Sequence, residues 1–219
     1  MKRIVLAATL AIAAIASAHA GTINGLVNTG VGGGVQDFNY ALTSVPSDSG
    51  ITSTFGYISS GSGFPFDYWS ANDATSKWIT PAASAAQSFD ANRDGTYTYE
   101  LTFNLTGYNA STAAFAGKFA ADNSAIVMLN GTKIGAVNGF GGFGADGFSA
   151  TGSEFKSGLN TLDFVVTNFA LNGGNPTGLR VEFTSSSVMA AVPEPETYGM
   201  LLAGLGMMGV IARRRRQAK

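Results

Sequence analysis

Cysteine is missing from the 219-residue chain, and histidine occurs once, at His19. Without thiols there is no disulfide stapling, no cysteine nucleophile and no thiolate metal ligand. His19 falls in an N-terminal segment that reads as removable. The rest of the chain therefore lacks imidazole as well, which excludes a Ser-His-Asp triad and the usual His- or Cys-ligated zinc and copper sites. Charge is scarce too. Between residues 21 and 190 there are twelve acidic side chains and only six basic ones, a balance that argues against nucleic acid as a partner. Carboxylates, amides, hydroxyls and aromatic rings carry whatever chemistry is left. Glycoside hydrolysis by two carboxylates needs no histidine, but no motif here selects a pair, so the expectation is a protein that is not an enzyme.

Long apolar runs are also lacking, although both ends of the chain are apolar. At the start, Lys2 and Arg3 precede an apolar stretch from Ile4 to Ile15 and the small-x-small site Ala18-His19-Ala20. That order predicts a signal peptide over residues 1–20, cleaved after Ala20. At the other end, Pro193-Glu194-Pro195 leads into a charge-free stretch from Tyr198 to Ala212, followed by Arg213, Arg214, Arg215 and Arg216. As a helix this stretch reaches roughly 22 Å, short of a hydrocarbon core of roughly 30 Å. It spans only if Tyr198 sits at one interface, the arginines snorkel at the other and the bilayer thins. The glycines Gly199, Gly204 and Gly206 weaken it as a permanent anchor. The arginine cluster predicts a cytoplasmic C-terminus and an external location for everything before Pro193.

The order Pro-Glu-Pro, glycine-rich helix, arginine run resembles the PEP-CTERM sorting signal of Gram-negative bacteria. The resemblance covers about an eighth of the chain. It implies an exosortase-type membrane transpeptidase that recognises the tripeptide, transient membrane anchoring by a C-terminal transmembrane helix, and a final place in the cell envelope or outside the cell, in hosts that typically make exopolysaccharide.

The middle of the chain alternates with period two. In YTYELTFNLT, residues Tyr97, Tyr99, Leu101, Phe103 and Leu105 share one face, the pattern of a half-buried strand. AIVMLNGTKIGAV reads as a hairpin in which Asn130-Gly131 supplies the positive φ angles of a type I′ turn. Leu162, Phe164 and Val166 point inward in TLDFVVTNF. In GLRVEFT, Leu179, Val181 and Phe183 point inward while Arg180 and Glu182 face water. Val35 to Leu42, Ile51 to Ser59 and Ala114 to Ala120 are further strand candidates. Seven or eight short strands predict an all-β antiparallel sandwich over residues 21–184, a linker over 185–192 and the sorting signal over 193–219. NGFGGFGADG, residues 138–147, reads as a loop between strands. The run from Gly95 to Gly131, with GLNTLDFVVTNF and NPTGLRVEF, resembles a domain recurrent in PEP-CTERM proteins and similar to galactose-binding-like jelly rolls. That likeness implies eight strands, with loops that in many relatives hold sugar or structural calcium.

Three constellations carry candidate ligand chemistry. Asp90, Asn92, Asp94 and Gly95 match the start of a calcium loop, with oxygen ligands on alternate residues. The twelfth position is Leu101 rather than an acid, and a polar turn explains the same residues. Trp69 and Trp78 bracket a polar stretch containing Tyr68, Asn72 and Asp73, the vocabulary of a sugar platform. Packing in the core is the competing reading, and Trp69 is the better surface candidate of the two indoles. Asp122-Asn123 is suited either to orienting a ligand or to capping its own turn. The leading reading is a secreted, non-enzymatic envelope or matrix protein that contacts exopolysaccharide. An adhesin-like or ice-interacting protein is the alternative, and a Thr-rich strand face at Thr98, Thr102 and Thr106, interrupted by Glu100 and Asn104, is its only support.

Overall fold

The alternating stretches pair with one another as eleven antiparallel strands in the computed structural model, which describes residues 20–144, 147–191 and 195–217. In chain order they are β1 (Ala20–Gly21), β2 (Gln36–Ser44), β3 (Phe55–Ile58), β4 (Ile79–Thr80), β5 (Gly95–Asn104), β6 (Tyr108–Asp122), β7 (Ser124–Leu129), β8 (Thr132–Asn138), β9 (Gly147–Thr151), β10 (Leu159–Asn168) and β11 (Gly178–Ala190). Strand β10 lies between β5 and β7, in unbroken register from Leu159 opposite Asn104 to Asn168 opposite Gly95. Strand β6 lies between β11 and β9. Single residue pairs, Leu179 with Ile79 and Gly135 with Phe148, join the two groups at their margins. The sheet thus closes on itself and flattens into two layers, leaving no long central edge unpaired.

The core lies between the layers. Tyr97, Tyr99, Leu101, Phe103 and Leu105 are all buried, as the alternation requires, and so are Leu162, Phe164 and Val166. Aromatic rings meet edge to face across the gap, Phe164 with Phe119 at 6.2 Å and with Phe148 at 5.6 Å, the arrangement the ring quadrupole favours. Burial of each such side chain contributes about 1.5–3 kcal/mol. Gly117 faces Phe148 across the β6–β9 pair. A Cβ on Gly117 would lie 2.4 Å from the Phe148 ring, so the absence of a side chain makes room for the aromatic. The β7–β8 hairpin turns at Asn130 (φ 53°) and Gly131 (φ 87°), as the dipeptide predicts.

Several expectations are corrected. The described residues form eleven strands rather than eight, and β9 begins where the sequence reads as loop. The segment 185–190 is strand: β11 continues to Ala190, paired with β6 as far as Tyr108. Its residues are held in the extended form by their partners Ala116 to Tyr108 on β6. Arg180 is buried, at 1% exposure, instead of facing water.

The C-terminal segment forms its own unit, an α-helix, α1 (Pro195–Gln217), which contains the stretch from Tyr198 to Ala212 and ends in the arginines. Among the described residues no helix is long and apolar enough to cross a membrane, so the expected transmembrane span is not shown. The apolar stretch is too short, and glycines dilute it before the arginines begin. Arg213, Arg214 and Arg215 are exposed. Pro193, Glu194, Ala18 and the expected signal helix lie outside the described residues, as do the side chains of Pro195 and Arg216. Ala20 is strand, paired with Met189.

Candidate functional site

Four connections meet at one end of the sandwich: residues 59–78 between β3 and β4, the β6–β7 turn, residues 139–144 after β8, and residues 169–177 between β10 and β11. They enclose a pocket of about 290 Å³. Its apolar walls come from Phe64, Tyr68, Phe140 and Leu171, and its polar groups from Asp122, Asn123 and Asn175.

The carbonyl of Pro65 accepts hydrogen bonds from both Tyr68 N and Trp69 N at 2.9 Å, a tight turn that sends consecutive aromatics in different directions. Tyr68 is 64% exposed and meets Phe64 edge to face at 6.0 Å. Trp69 is 3% exposed, stacks on Trp78 at 4.3 Å, and donates its indole N–H to Asp122 Oδ2 at 2.9 Å. The expectation of Trp69 as a surface platform is therefore corrected. The indole is packed, because its one polar atom finds a buried carboxylate, and Tyr68 is the presented ring. Gly178 lets Trp69 in, since a Cβ there would lie 2.7 Å from the indole.

Asn72 and Asp73 lie in the same connection and hold its shape without lining the pocket. Asn72 accepts from Trp78 N at 2.8 Å and donates to the Ser59 carbonyl at 3.0 Å. Asp73 Oδ1 accepts from Thr75 N and Ser76 N, and Oδ2 pairs with Arg180 Nη2 at 2.7 Å. The Ser76 and Thr75 amides, then the guanidinium, hold the Asp73 carboxyl below the usual carboxylate range. Arg180 also donates to Ser76 Oγ and the Ala71 carbonyl, and lies 4.0 Å from the Phe143 ring centroid. This buried cation thus ties two of the loops to β11, with its donors satisfied as burial demands.

Asp122 is 5% exposed. Burial pushes its carboxyl up to about 6, against the opposing pull of the Trp69 N–H. Among the described residues Oδ1 has no hydrogen-bond partner. Asn123 spends Oδ1 on Phe169 N, and Asn175 spends its amide N–H groups on the carbonyls of Phe89 and Phe169. This leaves Asn123 Nδ2 and Asn175 Oδ1 without protein partners among the described residues.

The calcium-loop residues are arranged as a turn. Asp90 Oδ2 accepts from Tyr97 Oη at 2.7 Å and Asn168 Nδ2 at 2.8 Å, Asp94 Oδ1 accepts from Ala170 N at 2.8 Å, and Asn92 is exposed. Among the described residues no group of three or more Asp, Glu or His side chains is placed to hold a metal ion. On the outer face of the sheet Glu100 lies opposite Asp163, whose carboxyl is raised by burial and then by the Glu100 charge, so an acidic pair interrupts the threonine row. Asp122-Asn123 thus reaches the pocket together with Tyr68 and Trp69, whereas the calcium-loop residues do not. The sequence singled out Asp122-Asn123 but could not supply its companions Phe64, Phe140, Leu171 and Asn175, which are up to 111 positions apart in the chain.

An all-β antiparallel sandwich followed by a helix that ends in arginines is the class to which the architecture assigns the chain. The tail is more specific: residues 191–216 match the PEP-CTERM protein-sorting motif, which implies an exported protein processed by an exosortase, a membrane enzyme. No curated protein matches the chain. Three solved structures bear a remote likeness to it. They are the PA14 sugar-binding domain from RTX adhesin (16% identity, 45% of this chain and 55% of that one, TM-score 0.28), a β-glucosidase from Kluyveromyces marxianus (12%, 50% and 13%, TM-score 0.31), and a CBM4 structure (13%, 71% and 80%, TM-score 0.30). The chain spans little more than half of the adhesin domain and a small part of the glucosidase. At these TM-scores none of the three carries weight for fold or function.

Proposed function

We propose that this is an exported envelope or matrix protein whose sandwich binds carbohydrate in the pocket beside Tyr68 and whose tail delivers it to an exosortase-type transpeptidase, with extracellular polysaccharide as the partner. One observation carries the reading: an exposed aromatic pair stands beside a buried carboxylate and two amides with unused hydrogen-bonding atoms. Sugar recognition needs this combination, a ring to pack on C–H faces and convergent acceptors and donors for hydroxyls. Among the described residues the pocket has one carboxylate, whereas hydrolysis by the two-carboxylate route needs two. Binding without cleavage is the function these groups support.

Glycan-array binding of the intact chain tests it. Tyr68→Ala removes an exposed ring and should weaken binding at least about tenfold with little loss of stability. Trp69→Ala should instead destabilise the fold by about 3–5 kcal/mol, because it empties a buried indole site and strips Asp122 of its one donor among the described residues. Unchanged glycan binding by a folded Tyr68→Ala variant sinks the proposal.

A further inference from the structure

The pocket beside Tyr68 contains an anion with no cation to match it. Among the described residues, Asp122 is its one charged lining group and Tyr68 its only other titratable one. Oδ2 accepts a single neutral indole hydrogen bond, and Oδ1 accepts none among the described residues. The basic side chains of the two strands that flank this end are already committed. Arg180 is held by Asp73, Ser76 and Ala71, and Lys118 pairs with Glu182 at 3.1 Å. A carboxylate at 5% exposure that is held by one neutral donor and no cation is costly, and the group that best restores the lost interaction is a cation that arrives with the ligand. The surroundings suit an organic ammonium, because Tyr68, Phe64 and Phe140 place aromatic rings around the same space, and ring faces attract cations.

We propose that the pocket selects a hexosamine residue with a free, protonated amine, its ammonium on Asp122 Oδ1 and its pyranose ring against the Tyr68–Phe64 pair. This rests on the carbohydrate reading above and narrows it to amine-bearing, deacetylated polysaccharide. A volume of about 290 Å³ lies at the small end for ligand pockets and fits one sugar ring rather than an extended chain. An N-acetylated sugar would put a neutral amide where the charge belongs and add bulk to a small site. A lysine side chain brings the same ammonium but no broad face for the tyrosine ring, so the sugar is the better match.

Calorimetric titration of the full chain with glucosamine tetramer and with N-acetylglucosamine tetramer of the same linkage tests this. The expected result is a preference of at least about tenfold for the free amine. That preference should disappear in Asp122→Asn, which keeps an acceptor for Trp69, and persist in Asp67→Asn, which alters an exposed carboxylate outside the pocket. Circular dichroism and indole fluorescence establish that both variants are folded. Equal affinity for the two tetramers overturns the inference and leaves carbohydrate binding standing. A preference retained by Asp122→Asn, or lost equally in Asp67→Asn, overturns it as general charge attraction. A lysine tetrapeptide that binds as tightly as the amine sugar overturns the choice of sugar, and failure to bind any glycan overturns both this inference and the function it rests on.

Discussion

Asp122 is the residue at which stability and recognition oppose each other. Its folded pKa of about 6 lies above the ordinary 3.8, so the folded state holds the proton more tightly than the unfolded chain does. The cost of ionisation is absent below about pH 3.8, grows between there and pH 6, and is complete above it. Two units correspond to about 3 kcal/mol. Asp122→Asn should therefore match the wild type in urea denaturation at pH 4 and exceed it by about 1–3 kcal/mol at pH 8; equal stability at both values contradicts the burial argument. This residue was visible in the sequence only as one of two readings of an Asp-Asn pair. The direction in which Tyr68 and Trp69 point was not visible, because a turn at Pro65 decides it and either aromatic suits either environment.

Elements whose side chains obey a local period were legible, and those defined by distant partners were not. The alternation in β5, the Asn130-Gly131 turn and the inward row of β10 follow from backbone geometry alone. The end of β11 does not, because Ser185 to Ala190 are weak strand formers held by pairing with β6. Arg180 likewise follows the outward phase of its strand and is buried nonetheless, because residues 71–76 and Phe143 cover it. Close approach between strands is equally silent in sequence. Gly117→Ala would drive a methyl group into Phe148, which is 3% exposed and unable to retreat, and into the Glu182 carbonyl 2.9 Å away. A loss of about 1–3 kcal/mol in thermal or urea unfolding is expected; a neutral result would mean that β6 and β9 separate easily.

For the molecule as a whole, a C-terminal sorting motif follows a sandwich whose residues 20–190 contain no cysteine and no histidine. Intact-mass measurement on protein from a host with an active exosortase should find a species lacking the first 20 residues and the arginine-rich end, whereas a persistent arginine cluster excludes processing there. The tail was the most legible part of the chain, since its order of motifs is local; the pocket, assembled from four loops, was the least. The pairing of Ala20 with Met189 brings the chain's entry and exit together at one pole of the sandwich. Asp122 pairs with Gly178 at the other pole, eleven steps along β11 from Met189, a distance of about 36 Å at strand rise. Within the sandwich, the pocket thus opens at the pole opposite to the one where the polypeptide enters and leaves.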